Sequence, residues 1–212
     1  GQFFRSGPTL SRWLFLFNPD RPAFKGARHA ALRKAINYAL DRPALVGAHA
    51  YLTARRSDRL LPATLSNSRR LYPLEGSNPV TARSWLARAG RPPKTLTLYT
   101  ANYPFSFLSA QEFASNLRQL DIEVETKPFD LPTLVEKVDV PGEPWDVALL
   151  PVESRYPDPA GFLIPLLHGT RYAARINAAN RLTGAARVKA WADLEVNLMR
   201  NDPPVAAYAD TT

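Results

Sequence analysis

The chain has 212 residues, 45% hydrophobic and 22% charged, with 20 Pro, 10 Gly, 1 Met and no Cys. That length holds one sizeable core or two small ones, and the apolar share excludes a disordered chain. The lack of Cys excludes a disulfide scaffold, a thiol nucleophile and a thiolate metal site, but by itself assigns no compartment.

Lys and Arg number 27 against 19 Asp and Glu, a net charge of +8. Residues 1–100 carry 17 basic and 4 acidic side chains, and residues 101–212 carry 10 and 15. A basic half is one mark of a polyanion partner. Here the positive charges are scattered, as in Arg55-Arg56, Arg69-Arg70 and Arg83, with no run of five. An Arg-rich polyanion-binding domain therefore ranks last among the readings, and no nucleic acid is expected as a partner.

In chain order, Trp13–Phe17 reads as a short buried strand, stopped by Pro19 and Pro22. It is far short of the ~20 residues a spanning helix needs. The chain opens on Gly1 rather than Met and shows no signal peptide, which fits a processed protein or an excised piece. Leu32, Ala35, Ile36 and Ala39 have helical spacing within 27–40. Asp41 is the expected cap of a second helix over 44–51, with Pro43 in its first turn. Residues 53–77 are rich in Arg, Ser and Pro without a sustained period and read as a long loop. Asn78-Pro79 opens a helix that Gly90 ends.

The second half alternates. Strands are predicted at 96–99, 122–127 and 145–150, and helices at 107–120, 131–137, 160–167 and 185–199. Strand and helix taken in turn predict an α/β sheet with crossover helices.

Searches for chemistry return nothing. There is no G-x-S-x-G, H-E-x-x-H, P-loop or G-x-G-x-x-G. His29, His49 and His168 stand apart and read as surface or helix-packing residues. Asp121, Glu123 and Glu125 read as the solvated side of a strand. No catalytic residue, metal site or cofactor is expected, and the chain is not expected to be an enzyme.

Phe17-Asn18, Arg21-Pro22-Ala23-Phe24 and Arg28 are followed by Leu32-Arg33-Lys34-Ala35-Ile36-Asn37-Tyr38-Ala39-Leu40-Asp41-Arg42. This run resembles the signature of the family 5 extracellular solute-binding proteins, roughly F-N-x-x-R-P-P-F … R-x-A-x-x-x-A-I-D-R. Tyr72-Pro73-Leu74, Ala82–Gly90, Leu117–Val124 (family pattern L-x-x-x-G-I-x-V), Pro144-Trp145-Asp146-Val147 and Tyr156-Pro157-Asp158-Pro159 continue it in order. The resemblance runs from about Leu14 to Ala207.

The resemblance implies the fold class α/β, a periplasmic-binding-protein-like (type II) lobe with a mixed sheet flanked by helices. It implies that residues 1–212 are a single ligand-binding lobe whose partner lobe is absent from this chain. The implied function is capture of a peptide-like or other small solute between lobes, for ABC importer membrane subunits. The implied location is extracytoplasmic, in a periplasm or as a cell-surface lipoprotein. The alternative is a sensory or degenerate domain fused to a cytoplasmic regulator.

Ligands of α/β sheets sit beyond the carboxyl ends of strands. The loop 151–159, stiffened by Pro151, Pro157 and Pro159, leaves a predicted strand there, and in relatives it lines the cleft. The candidate ligand residues on it are Val152, Glu153, Arg155, Tyr156 and Asp158. Peptide-binding relatives commonly carry Asp where this chain has Arg155, and an aromatic where it has Val152. The exchange of Asp for Arg repels a ligand ammonium and offers a planar fork to a carboxylate or phosphate. The plain alternative is Arg155 in solvent beside Glu153. Asn102 and Tyr103, which follow the strand at 96–99, are a second ligand-binding candidate, with plain loop caps as the alternative. The four Trp, at 13, 85, 145 and 191, read mainly as core.

Overall fold

Strand β1 (Ser11–Phe17) organises the molecule because its side chains alternate between two apolar layers. Trp13, Phe15 and Phe17 enter one core, while Leu14 enters the other with Leu16 packed against it. A two-residue period of this kind marks a strand buried on both faces. The structure, a computed structural model, describes residues 10–26, 29–49, 54–66, 70–154, 156–167 and 170–211.

The other strands are β2 (Ala54–Arg56), β3 (Thr95–Ala101), β4 (Glu123–Phe129), β5 (Val147–Glu153) and β6 (Val205–Thr211). They form one mixed sheet in the order β2-β6-β1-β5-β3-β4. β3 is parallel to β4 and β5, while β1 is antiparallel to β5 and β6. The carboxyl ends of β3, β4, β5 and β6 therefore share one end of the sheet, here the upper end, with the start of β1.

Helices cover both faces. α1 (Ala30–Ala39), α2 (Arg42–Gly47), α3 (Pro79–Arg88) and α4 (Pro104–Arg118) send Ile36, Leu45, Ala82 and Phe113 into the core that holds Phe15. On the opposite face α5 (Leu131–Asp139) contributes Leu134. There α6 (Pro159–Leu167), α7 (Ala173–Asn180) and α8 (Gly184–Asn201) add Phe162, Ile176 and Trp191.

The expected caps form: Asp41 accepts from the Ala44 amide and Asn78 from the Thr81 amide, each at 3.0 Å. After α4 the Ile122 amide reaches the Leu117 carbonyl at 3.2 Å and the Asp121 amide the Arg118 carbonyl at 3.1 Å. This is a Schellman turn, closed by apolar Leu117 and Ile122, which share a core. Its left-handed position, Gly in the family pattern, is Asp121 at φ 57°.

Two expectations change in detail. The strand predicted to stop at Leu150 continues to Glu153, with Pro151 opposite Trp13. Because β3 pairs with β5 only at Val147 and Ala148, this stretch has a free side, where proline is tolerated. The loop predicted over 53–77 carries β2 and is held by buried carboxylates. Asp58 accepts the amides of Leu71 and Tyr72, while Glu195 of α8 accepts the Leu61 amide and the Ser66 hydroxyl.

The segment with the strongest family resemblance fastens the lower end. Asn18 donates to the Trp145 carbonyl, and Arg21 pairs with Asp146, whose other oxygen accepts the Thr97 amide. Asn37 donates to the Val205 carbonyl, and buried Arg42 donates to the carbonyls of Ala207, Ser57, Asn37 and Pro73. Burial lowers the Arg42 guanidinium to about 10, against the opposing pull of Asp58 and Tyr72, so it is charged at neutral pH. Arg33 of α1 pairs with Asp202. These signature residues tie β1, β3, β5, β6 and α1 together.

Candidate functional site

The upper end of the sheet is built from strand ends, which are stiff, and from the turns that leave them. β5 outlasts its neighbour here: extending the register Tyr99↔Ala148 sets Asn102 level with Pro151, and Val152 and Glu153 project beyond. Val152 is half-buried against the core beneath α6 to α8, whereas Glu153 is exposed.

Two hydrogen bonds hold Ser154, which follows β5. The Ser154 amide donates to the Leu10 carbonyl, and its hydroxyl donates to the Tyr156 carbonyl at 2.8 Å. Gly161 of α6 lies directly beneath: a Cβ there would stand 2.2 Å from Ser154 Oγ and 3.1 Å from the Tyr156 ring. Tyr156 is 54% exposed, so its ring is presented to solvent. Such a ring offers apolar area and a hydroxyl at low conformational cost.

Asp158 is committed to the scaffold. Its Oδ1 accepts the Ala160 amide at 2.8 Å, opening α6, and both oxygens accept from Nη2 of Arg187 on α8. Partial burial pushes its carboxyl up, but the Arg187 hydrogen bonds, the Ala160 amide and the Arg187 charge outweigh this and lower it below the ordinary aspartate value. Arg187 in turn donates to the Asn180 carbonyl and lies 5.5 Å from the Trp191 ring centroid. Arg155 lies outside the described residues.

On the β3 side, the Asn102 amide donates to the Phe129 carbonyl, which leaves the Asn102 side chain exposed. Tyr103 is 39% exposed and stacks on Phe105 at 5.7 Å between centroids. Behind this rim lies a ring cluster in which Trp13, Phe105 and Tyr208 surround buried His49. His49 Nε2 is hydrogen-bonded to the Tyr208 hydroxyl at 2.9 Å, and burial lowers its pKa. His49 is thus a packing residue, as expected, and His168 lies outside the described residues.

The structure therefore brings Val152, Glu153, Tyr156, Asn102 and Tyr103 to one end of the sheet and turns Asp158 to a fixing role. Sequence reasoning missed Arg187, the residue that holds Asp158; nothing in the spacing of α8 marks it. It also missed Arg12, buried on β1 and paired with Asp210 just beneath this end. Among the described residues no cluster of three His, Asp or Glu can hold a metal ion, and no helix is long and apolar enough to cross a membrane.

The sequence profile described as bacterial extracellular solute-binding proteins, family 5 Middle, matches residues 2–174. The chain belongs to the family 5 solute-binding proteins. The matched segment includes every predicted site residue of this family 5 chain, and Arg187 lies beyond it. Solved structures agree on the fold. A periplasmic oligopeptide-binding protein from Borrelia burgdorferi is 18% identical with a TM-score of 0.81, over 96% of this chain and 43% of its own. HbpA2 from Haemophilus parasuis is 16% identical with a TM-score of 0.80, over 97% and 43%. A dipeptide-binding protein from a Pseudoalteromonas strain, in complex with Met-Leu, is 17% identical with a TM-score of 0.79, over 96% and 43%. The family 5 chain thus spans less than half the length of these relatives. No curated protein matches the sequence.

Proposed function

We propose that this chain is one solute-binding lobe of an ABC-importer receptor, non-catalytic, whose upper end forms one wall of a ligand cleft. The observation that carries this reading is the exposed Tyr156 ring just past β5, at the same sheet end as Glu153, Asn102 and Tyr103. Family membership supports the role. A cleft needs a second wall to bury most of a ligand, so the partner lobe is part of the proposal. The solute bridges both walls, and closure is favoured only by its greater affinity for the closed form. The closed receptor then docks on importer membrane subunits in an extracytoplasmic compartment.

Arg155 in place of the Asp of peptide-binding relatives favours solutes not read through a free amine. Calorimetry on the two-lobed receptor tests both points, with di- to pentapeptides offered free and N-acetylated. Tyr156→Ala is expected to weaken binding at least tenfold with an unchanged melting temperature. N-acetylated peptides are expected to bind more tightly than free ones, and Arg155→Ala to abolish that preference. Binding unchanged in Tyr156→Ala overturns the wall assignment; strong preference for the free amine overturns the Arg155 reading.

A further inference from the structure

Residues 1–100 carry most of the positive charge, and the fold gathers part of it on one face. α3 and α4 end where β3 and β4 begin, at the lower end of the sheet and away from the proposed solute wall. Arg83 and Arg88 stand on α3, Arg91 and Lys94 in the turn that follows, Arg118 in the last turn of α4 and Lys34 on α1. The helices bring them together. α1 packs on α3, and the Arg83 guanidinium donates to the Gln119 carbonyl, beside Arg118. Lys34 Nζ and the Arg88 guanidinium share one ring, at 4.3 Å and 4.7 Å from the Trp85 centroid.

These cations have little to neutralise them. Among the described residues none of the six forms an ion pair. From Gly76 to Gln111 the sequence has no acidic residue. Of the acids that border the cluster, Glu112 accepts from Asn116. Glu123 alternates with Val124, which packs into the core beneath α4, so it faces the other side of the sheet. Asp121 borders Arg118, and Asp202 attracts Lys34 while bound to Arg33 and Arg171. Burial lowers the Lys34 amine; Asp202 opposes this, and repulsion by Arg88 adds to it. The exposed stripe of α3 is Val80, Arg83, Ser84, Ala87 and Arg88, with Val80 79% exposed. Small and apolar groups thus lie between the cations.

We propose that this face of α1, α3 and α4 docks on an anionic phospholipid surface. Cations spread over three helices and a turn match an extended polyanion rather than a small ion. A headgroup layer also admits the exposed Val80 and the half-buried Trp85 among them. The choice of lipid over other polyanions rests on the extracytoplasmic part of the reading above. Contact through this face leaves the upper end free for solute and partner lobe.

The test is flotation of the 212-residue chain with vesicles of phosphatidylcholine, alone or mixed with phosphatidylglycerol. The chain is expected to float with the mixed vesicles only, and to be released as salt rises from about 0.05 M to about 0.5 M. Arg88→Gln, Arg91→Gln and Lys94→Gln together should weaken binding about tenfold or more. The same charge change on the opposite face, by Arg175→Gln, Arg181→Gln and Lys189→Gln, should leave it nearly unchanged. Both variants should melt with the wild type. No flotation with the mixed vesicles overturns the proposal, and binding to polyglutamate instead would assign the face to an acidic protein. Equal weakening in the two variants would assign the binding to net charge and overturns it too. Solute affinity is not read in this test, so either failure leaves the Tyr156 assignment standing.

Discussion

Arg187 reaches from α8 to hold Asp158 through a single nitrogen, Nη2, which lies 2.7 Å from Oδ1 and 2.9 Å from Oδ2. The pair joins the turn after β5 to a helix on the far side of α6 and α7 in sequence. It is half-buried, which places its worth at about 1 kcal/mol rather than the several of a dry pair. Arg187→Met is expected to lower the urea midpoint accordingly. The loss depends on acid with a fixed sign. The Asp158 carboxyl is lowered in the folded state, so its contribution is complete above the unfolded aspartate pKa of about 3.9 and disappears as pH falls through the lower folded value. The gap between wild type and variant should be constant above about pH 5 and close below 3.9. A gap undiminished at the acid end would show that Arg187 acts by packing on Trp191 instead.

Gly161→Ala tests how tightly the Tyr156 turn is set. The added methyl meets Ser154 Oγ at 2.2 Å, and that hydroxyl is already bonded to the Tyr156 carbonyl. The Ser154 hydroxyl must rotate away and give up its bond to the Tyr156 carbonyl, at a cost of about 0.5–1.5 kcal/mol. Thermal unfolding reads the cost. A variant as stable as wild type would mean that the turn yields freely and is no rigid support for Tyr156.

Asp121→Gly should stabilise the protein. Asp121 sits at φ 57° in the Schellman turn, a conformation that costs a residue with a Cβ on the order of 1 kcal/mol. Glycine removes that strain and returns part of the gain as unfolded-state entropy, for a net of about 0.5 kcal/mol. Urea titration of both proteins decides it, and a destabilised variant would refute the reading of the turn.

His49 predicts a second acid effect, higher in pH. Burial lowers its folded pKa from 6.5, so its stabilising neutral form is complete above that unfolded value. Stability should decline as pH falls from about 6.5 through the lower folded value. His49→Gln should flatten that slope. Unchanged slopes in the variant would assign the effect elsewhere.

Much of the fold is legible in the sequence because its signals are local. Asp41 and Asn78 announce caps through side chains that can reach only their own helix, and Leu32, Ala35, Ile36 and Ala39 announce a buried stripe. β6 escaped because Ala206, Ala207 and Ala209 have no strand preference of their own; burial between β1 and β2 makes them a strand. α7 escaped because Ala173–Asn180 has a weak apolar stripe, with Ile176 its one large buried residue. At the upper end, Tyr156, Asn102 and Tyr103 follow from the rule that ligands sit beyond strand ends. Asp158 does not: its neutralisation by Arg187 is a contact across 29 residues, invisible to spacing. The signature run from Phe17 to Arg42 marks kinship in the sequence, and its physical content is the bonding of the lower end.

The first and last strand residues in sequence are neighbours: the Thr211 hydroxyl donates to the Ser11 carbonyl at 3.0 Å. A few flexible residues are enough to join positions so close, and closing so short a loop costs little entropy. Positions 11 and 211 can therefore be joined by a short linker without drawing β1 away from β6.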